Sequence, residues 1–242
     1  YNLVLATFVR ANFNYKSEKF KKLYKFNPAI FFNDSLSKEL IINGIYEKDE
    51  LDLISNIIDK KIFIDVGANI GNHTLYFKNS FKEIYSFEPH PKTYKILKFN
   101  TEDFSHIKTF NIGLSNKKKQ THLILESSEN VAGNHYKEDH KGGHKIFFEK
   151  FDDLYSFKNS ISFIKIDVEG NELDVLKSMK KNLENNSPII SLEFDMKNFS
   201  KNNEIISFLN EIGYKKYYFF KTNRPLDLRI RNIFLNFFKI IF

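Results

Sequence analysis

The stretch from Lys61 to Gly71, K-I-F-I-D-V-G-A-N-I-G, constrains this chain more than any other. A short apolar run, Ile62-Phe63-Ile64, meets Asp65. One residue later a glycine loop begins, Gly67-Ala68-Asn69-Ile70-Gly71, and a segment with Leu75, Tyr76 and Phe77 follows with helical character. Strand, acid, glycine turn and helix make the first half of a βαβ nucleoside-binding unit. Gly67 lacks a Cβ, so the chain can turn sharply and a ligand can lie against bare backbone. Gly71 lets the following helix approach the strand.

The spacing narrows the ligand. A dinucleotide site favours G-x-G-x-x-G, with its pyrophosphate on the helix N-terminus. Here the spacing is G-x-x-x-G, Asp65 sits just ahead of it, and no G-K-[ST] is present to hold phosphates. An acid beside the loop repels phosphate and suits a cation. S-adenosylmethionine has that chemistry: no phosphate, a sulfonium, an ammonium and a ribose with its hydroxyls. The ribose calls for a carboxylate at the end of the next strand, about 20 residues on. Glu83-Ile84-Tyr85-Ser86-Phe87 ends in Glu88-Pro89 at that place. The competing reading is an ordinary strand-loop-helix with incidental acids, and the position of Glu88 weighs against it.

The second informative block is Ile161 to Glu172, I-S-F-I-K-I-D-V-E-G-N-E. Ile161, Phe163, Ile164 and Ile166 read as a buried strand that ends in Asp167-Val168-Glu169-Gly170. Alternation along a strand puts Asp167 and Glu169 on one side, at the carboxyl edge where open α/β sheets bind ligands. Acids there are costly unless they face solvent, a cation or a substrate hydroxyl.

Elsewhere strands alternate with helices, so the class is α/β with a mostly parallel sheet. A helix is expected over Lys48–Asp59, with Leu51, Ile54 and Ile58 on one face. Pro91 opens the helix after Glu88, and a third strand runs near Lys108 to Leu114. Thr121–Leu125 and Lys145–Phe148 read as strands around a polar loop, Glu126–His144, which holds His135, His140 and His144 and is expected to cover the site. The histidine spacings match no common ligand pattern, so no metal is assigned. Pro188–Phe194 is the next strand, Glu204–Gly213 an amphipathic helix, and Tyr217–Lys221 with the apolar stretch after Arg224 a closing hairpin. The expected division is an extension over 1–47, an α/β domain over 48–225 and an apolar tail over 226–242.

Composition sets outer bounds. With 242 residues, 42% hydrophobic, the chain can bury one good core. Zero Cys excludes disulfides and thiolate metal sites. The +7 charge comes almost wholly from dispersed Lys, which reads as a solvated surface more than as a patch for an anionic partner. The basic, aromatic termini are the expected points of any weak contact with a membrane surface. Asn2 to Val9 is apolar but too short to span a bilayer, no signal peptide is visible, and the expected location is cytoplasmic.

F-I-D-V-G-A-N-I-G-N-H-T, S-F-E-P-H-P, and F-I-K-I-D-V-E-G-N-E-L-D-V-L-K followed by P-I-I-S-L-E-F resemble, in order, the blocks of the FkbM methyltransferases. The resemblance covers roughly Gly44 to Phe220. It implies a class I, Rossmann-like fold with a mostly parallel seven-stranded sheet and helices on both faces. It implies S-adenosylmethionine as cofactor and O-methylation, often of sugars or polyketide-like natural products. By position, Asp65, Gly67, Ala68, Asn69 and Gly71 match the first cofactor motif, Glu88 the ribose acid, and Asp167 with Glu169 the I-K-x-D-x-E-G block. Phe151-Asp152-Asp153-Leu154 departs from the family, where Thr-Leu-Asp is frequent.

A sulfonium is already activated, so the protein must mainly align an acceptor oxygen with it. A sugar hydroxyl is a weak nucleophile and needs a base: Asp167, Glu169 or His73, which follows the glycine loop. A helix-start residue with no catalytic part is the competing reading of His73. Two other functions compete with this one. Base N-methylation of RNA or DNA commonly uses N/D-P-P-Y/F where this chain reads D-V-E-G, and acids there repel a phosphate backbone. A non-catalytic S-adenosylmethionine-binding domain is disfavoured by the intact loop with Glu88. The expected partner is a small molecule or glycan, not nucleic acid.

Overall fold

A computed structural model of the chain describes residues 28–31, 36–37, 40, 44–123, 136–137, 144–168, 170–194, 199–221 and 230–235. At its centre lies β1 (Ile62–Val66), buried along its whole length. A strand covered on both faces must be almost wholly apolar, and only Asp65 breaks that rule in β1. The other strands of the central sheet are β2 (Glu83–Phe87), β3 (Ile107–Phe110), β8 (Ile161–Ile166), β9 (Ile189–Phe194), β10 (Lys216–Lys221) and β11 (Ile230–Leu235). Their order is β10-β11-β9-β8-β1-β2-β3, with β9, β8, β1, β2 and β3 parallel and β11 antiparallel to both its neighbours. The chain winds outward from β1 to β3 and returns to β8 on the other side of β1. The switch point therefore lies between the carboxyl ends of β1 and β8, where such sheets bind ligands.

Helices cover both faces. On one, α1 (Lys48–Ile57) packs Leu51 and Ile54 against Phe63, Phe77, Phe81 and Phe163. Phe63 stacks on Phe163 at 5.0 Å between centroids and meets Phe77 edge-on at 5.3 Å, each pair adding about 1 kcal/mol beyond its buried area. The short helix α2 (Asn72–Tyr76) follows the glycine loop on this face, and α3 (Pro91–Thr101) starts at the His90 cap. The other face is closed by α4 (Phe151–Leu154), α5 (Glu172–Ser178), α6 (Lys180–Asn186) and α7 (Phe199–Glu211), which contribute Phe151, Leu176, Leu183 and Leu209 to the larger core.

Register turns the sheet into rows. On the α1 and α2 face, Ile107, Ile84, Phe63, Phe163 and Ile189 form an apolar row. Two residues nearer the carboxyl edge, Thr109, Ser86, Asp65, Lys165 and Ser191 form a polar one. Gly67, Glu88 and Asp167 come two residues later still, beyond the strand ends. The sheet thus changes from oily to polar in one step toward the crevice.

Three expectations need correction. The strand read over Lys108–Leu114 is broken at Asn111-Ile112. Its first half is β3, while Gly113–Leu114 (β4) joins a second sheet with β5 (Lys119–Leu123), β6 (Tyr136–Lys137) and β7 (His144–Glu149), in the order β4-β7-β5-β6. Gly113 permits this, since a Cβ there would lie 2.4 Å from the Phe148 ring. The tail set apart at 226–242 supplies β11, inserted between β9 and β10, so 225 is no boundary of the sheet. The helix expected from Glu204 starts earlier, at Phe199. The N-terminal and C-terminal segments expected to touch membranes, and most of the histidine loop, lie outside the described residues. Among the described residues no helix is long and apolar enough to cross a membrane.

Candidate active site

The glycine loop is built from the protein inward. Gly67 and Ala68 donate their amides to the Phe87 carbonyl, both at 3.0 Å, tying the loop to the end of β2. Gly67 has φ +80°, and a Cβ on it would stand 1.9 Å from the Asp167 carbonyl oxygen. Its bare side is therefore taken up by the β8 end and is not left open to a ligand as the sequence suggested. Gly71, at φ +97°, caps α2 and would place a Cβ 3.0 Å from Leu97 of α3.

Glu88 is buried and organises the turn. Its Oε2 accepts from the Asn69 amide at 3.0 Å and its Oε1 from the His90 amide at 2.8 Å. Burial drives its pKa up, the two amides pull it down, and the nearby Asp65 and Asp167 add to the rise, leaving it at about 7. Each oxygen keeps a lone pair for a ligand hydroxyl.

Asp65 is 1% exposed. Its Oδ2 accepts from Thr74 Oγ at 2.6 Å, and the same hydroxyl lies 2.7 Å from Ser86 Oγ. Its Oδ1 is buried with no hydrogen-bond partner among the described residues. The other buried orphan among the described side chains is Nε2 of His90. His90 Nδ1 accepts from the Thr93 amide at 3.2 Å, so the neutral ring carries its proton on Nε2. Burial first, then the charges of His144 and Lys92, hold this imidazole down at about 4, so it stays neutral. Buried polar atoms are normally bonded. One acceptor before the glycine loop and one donor after Glu88 fit a nucleoside that carries a cation. The residues named for S-adenosylmethionine therefore suit it: Asp65, Glu88 and the Gly67-Ala68-Asn69-Gly71 loop.

At the end of β8, Asp167 Oδ2 pairs at 2.9 Å with Lys165 Nζ, and that lysine is 1% exposed. Glu169 lies outside the described residues. His73 is buried, with Nε2 at 3.0 Å from Glu47 Oε2 and its ring edge-on to Tyr46. Asn72 grips the Tyr46 backbone twice, through Tyr46 N to Oδ1 and Nδ2 to Tyr46 O, both 3.1 Å. Glu50 of α1 accepts from Ser191 Oγ at 2.6 Å. The structure thus brings Asp65, Gly67, Ala68, Asn69, Gly71, Glu88 and Asp167 to the crevice, with His73 at the start of α2.

Sequence reading missed Lys165, Glu47 and Asn72. A lysine inside I-S-F-I-K-I was the visible signal for the first. Glu47 showed only as the end of a turn, Gly44-Ile45-Tyr46-Glu47, ahead of α1: it sits at φ 59°, ψ 31°, a left-handed conformation that costs a non-glycine residue about 1–2 kcal/mol. Asp152, whose role the sequence left open, accepts from Lys181 N at 2.9 Å and Asn182 N at 3.2 Å and so begins α6. Among the described residues no cluster of three or more His, Asp or Glu could hold a metal ion.

Comparison with known proteins bears on the family and the fold. Residues 65–216 match the Methyltransferase FkbM domain. Methyltransferase 1 of Beauveria bassiana is 26% identical over 182 residues, 63% of this chain and 70% of its own length. Hexuronic acid methyltransferase AglP of Haloferax volcanii is 28% identical over 135 residues, 54% of this chain. The crystal structure of methyltransferase FkbM from Methylobacillus flagellatus shares the fold at TM-score 0.51 and 16% identity, over 89% of this chain. The chain spans only 55% of AglP and 58% of that crystallised chain. With the domain match covering well over half its length, this chain belongs to the FkbM methyltransferases.

Proposed function

We propose that the chain is an S-adenosylmethionine-dependent O-methyltransferase that modifies a hydroxyl of a sugar, glycan or related natural product. The observation that carries the reading is Glu88: a buried carboxylate that holds the glycine loop and keeps lone pairs for ribose hydroxyls, with the orphan Asp65 Oδ1 nearby. S-adenosylmethionine supplies, when bound, an electrophilic methyl group on a sulfonium. The chain's own part is to bind, orient and accept a proton. Glu88 takes the ribose hydroxyls, Asp65 balances positive charge, and Asp167, Glu169 and His73 stand for the acceptor side. A sugar acceptor is supported by the relative named a hexuronic acid methyltransferase. The proposed place of action is the cytoplasm, with a small molecule or glycan as partner and not nucleic acid.

The test is methyl transfer from tritium-labelled S-adenosylmethionine to UDP-glucose, UDP-glucuronate, oligosaccharides and RNA, with S-adenosylhomocysteine binding by calorimetry alongside. Label in a sugar ether is the expected result. Label in RNA alone overturns the acceptor class. Binding of the nucleoside with no transfer to any acceptor supports a binding domain instead.

A further inference from the structure

We infer that Glu47 and His73 form the proton-accepting dyad of the acceptor site, His73 as the base and Glu47 as its positioning residue. The inference rests on the O-methyltransferase reading and deepens it. Several observations converge. His73 is the second residue of α2, directly after the glycine loop that follows β1. Its Nε2 lies 3.0 Å from Glu47 Oε2, and both side chains are buried, 7% and 4% exposed. Nδ1 of His73 has no hydrogen-bond partner among the described residues. With the Nε2 proton donated to Glu47, the Nδ1 lone pair is the one left to take a proton.

The turn that presents Glu47 is strained. The residue is left-handed without being glycine, and Asn72 pins the preceding Tyr46 at both its amide and its carbonyl. Backbone strain that the surroundings over-determine clusters at functional sites. Of the two rival acids, Asp167 is committed elsewhere: protonating it would leave the buried Lys165 ammonium without its counter-charge. The acceptor oxygen would pass its proton to Nδ1 as it forms the new O–CH₃ bond. The C–S bonding pair leaves with sulfur, so the sulfonium becomes a thioether, and the imidazolium later releases the proton to solvent. Glu47 balances the imidazolium while it lasts.

The other charged groups on elements packed against α2 are engaged. Glu50 binds Ser191, Asp52 binds Tyr76 and Lys48, Asp65 binds Thr74, and Lys165 binds Asp167. Lys92, Lys95 and Lys98 of α3 are exposed.

The experiment has two arms. In the first, histidine-labelled protein with bound S-adenosylhomocysteine is titrated by NMR. The expected His73 tautomer is Nε2–H, with its inflection moving to lower pH in Glu47→Gln; an Nδ1–H tautomer overturns the proposal. In the second, pH profiles of kcat are measured for transfer to UDP-glucose and UDP-glucuronate. His73→Asn should lose about 10²-fold at neutral pH, and Glu47→Gln should shift the acid limb downward, both with S-adenosylhomocysteine affinity within a few-fold. Activity within threefold and an unmoved limb in both variants overturn it. If neither sugar is methylated, the acceptor reading fails, while the tautomer still decides the dyad.

Discussion

Gly67 faces the main-chain carbonyl of Asp167 so closely that a β-carbon would stand 1.9 Å from its oxygen. The loops that follow two neighbouring strands, β1 and β8, are thus in backbone contact. The left-handed φ of +80° adds to the demand. Gly67→Ala should therefore cost about 3 kcal/mol of stability, at the upper end for single changes. It should also weaken S-adenosylhomocysteine binding. A melting curve and calorimetry check this together; an alanine variant with unchanged melting temperature would show that the loops are not locked.

Glu88, with its raised carboxyl, should make S-adenosylhomocysteine binding pH-dependent. Its carboxyl is raised from 4.5 to about 7, chiefly by burial. A raised acid favours the proton-bound folded state. Stability from this group is full below about 4.5 and falls as pH rises through about 7. At 1.36 kcal/mol per pH unit the loss is about 3 kcal/mol. Ribose hydroxyls need the ionised acceptor, so S-adenosylhomocysteine affinity should rise over the same window, and Glu88→Gln should flatten both slopes. Calorimetry and denaturant melts between pH 5 and about 8.5 read them. A wild-type affinity that is level with pH would refute the ribose assignment.

Asn72 is expected to matter without touching either ligand. It is buried and holds Tyr46 by amide and carbonyl. Asn72→Ala removes both of these hydrogen bonds from the Tyr46 backbone, a cost of about 1–3 kcal/mol. Hydrogen exchange at the Tyr46 amide should accelerate by at least tenfold. Protection equal to wild type would mean that the turn holds itself.

How much of this was visible in the chain follows from what each signal encodes. Period-two apolar runs and the spacing from Gly67 to Glu88 are local, so β1, α2, β2 and the crevice acids could be read directly. The second sheet could not: β4 and β6 are two residues each, and their pairing is set by distant partners such as Gly113 with Phe148. Nor could the insertion of β11, because a hairpin signal carries no information about the third strand it joins. Lys165 was readable as a charge in a buried strand but its partner was not. Glu47 shows the sharper limit, since nothing in G-I-Y-E announces a left-handed glutamate.

The last prediction concerns Lys165 and Asp167. From sequence, Asp167 is a free acid at a strand end, and an amide there should leave the fold alone. In the structure it neutralises an ammonium that is 1% exposed, next to Asp65 in the polar row. Asp167→Asn keeps the shape and removes the charge, so the lysine must stay charged without its partner or give up its proton. Removing one member of a buried pair typically costs 3–5 kcal/mol; with the Asp167 side chain 25% exposed, about 2 kcal/mol is the better expectation. Replacing both members relieves that penalty, so Lys165→Met with Asp167→Asn should recover much of the lost melting temperature. The double-mutant cycle isolates the pair from each residue's other contacts. Additive losses would mean that the ion pair contributes nothing, and Asp167 would return as a candidate base beside His73.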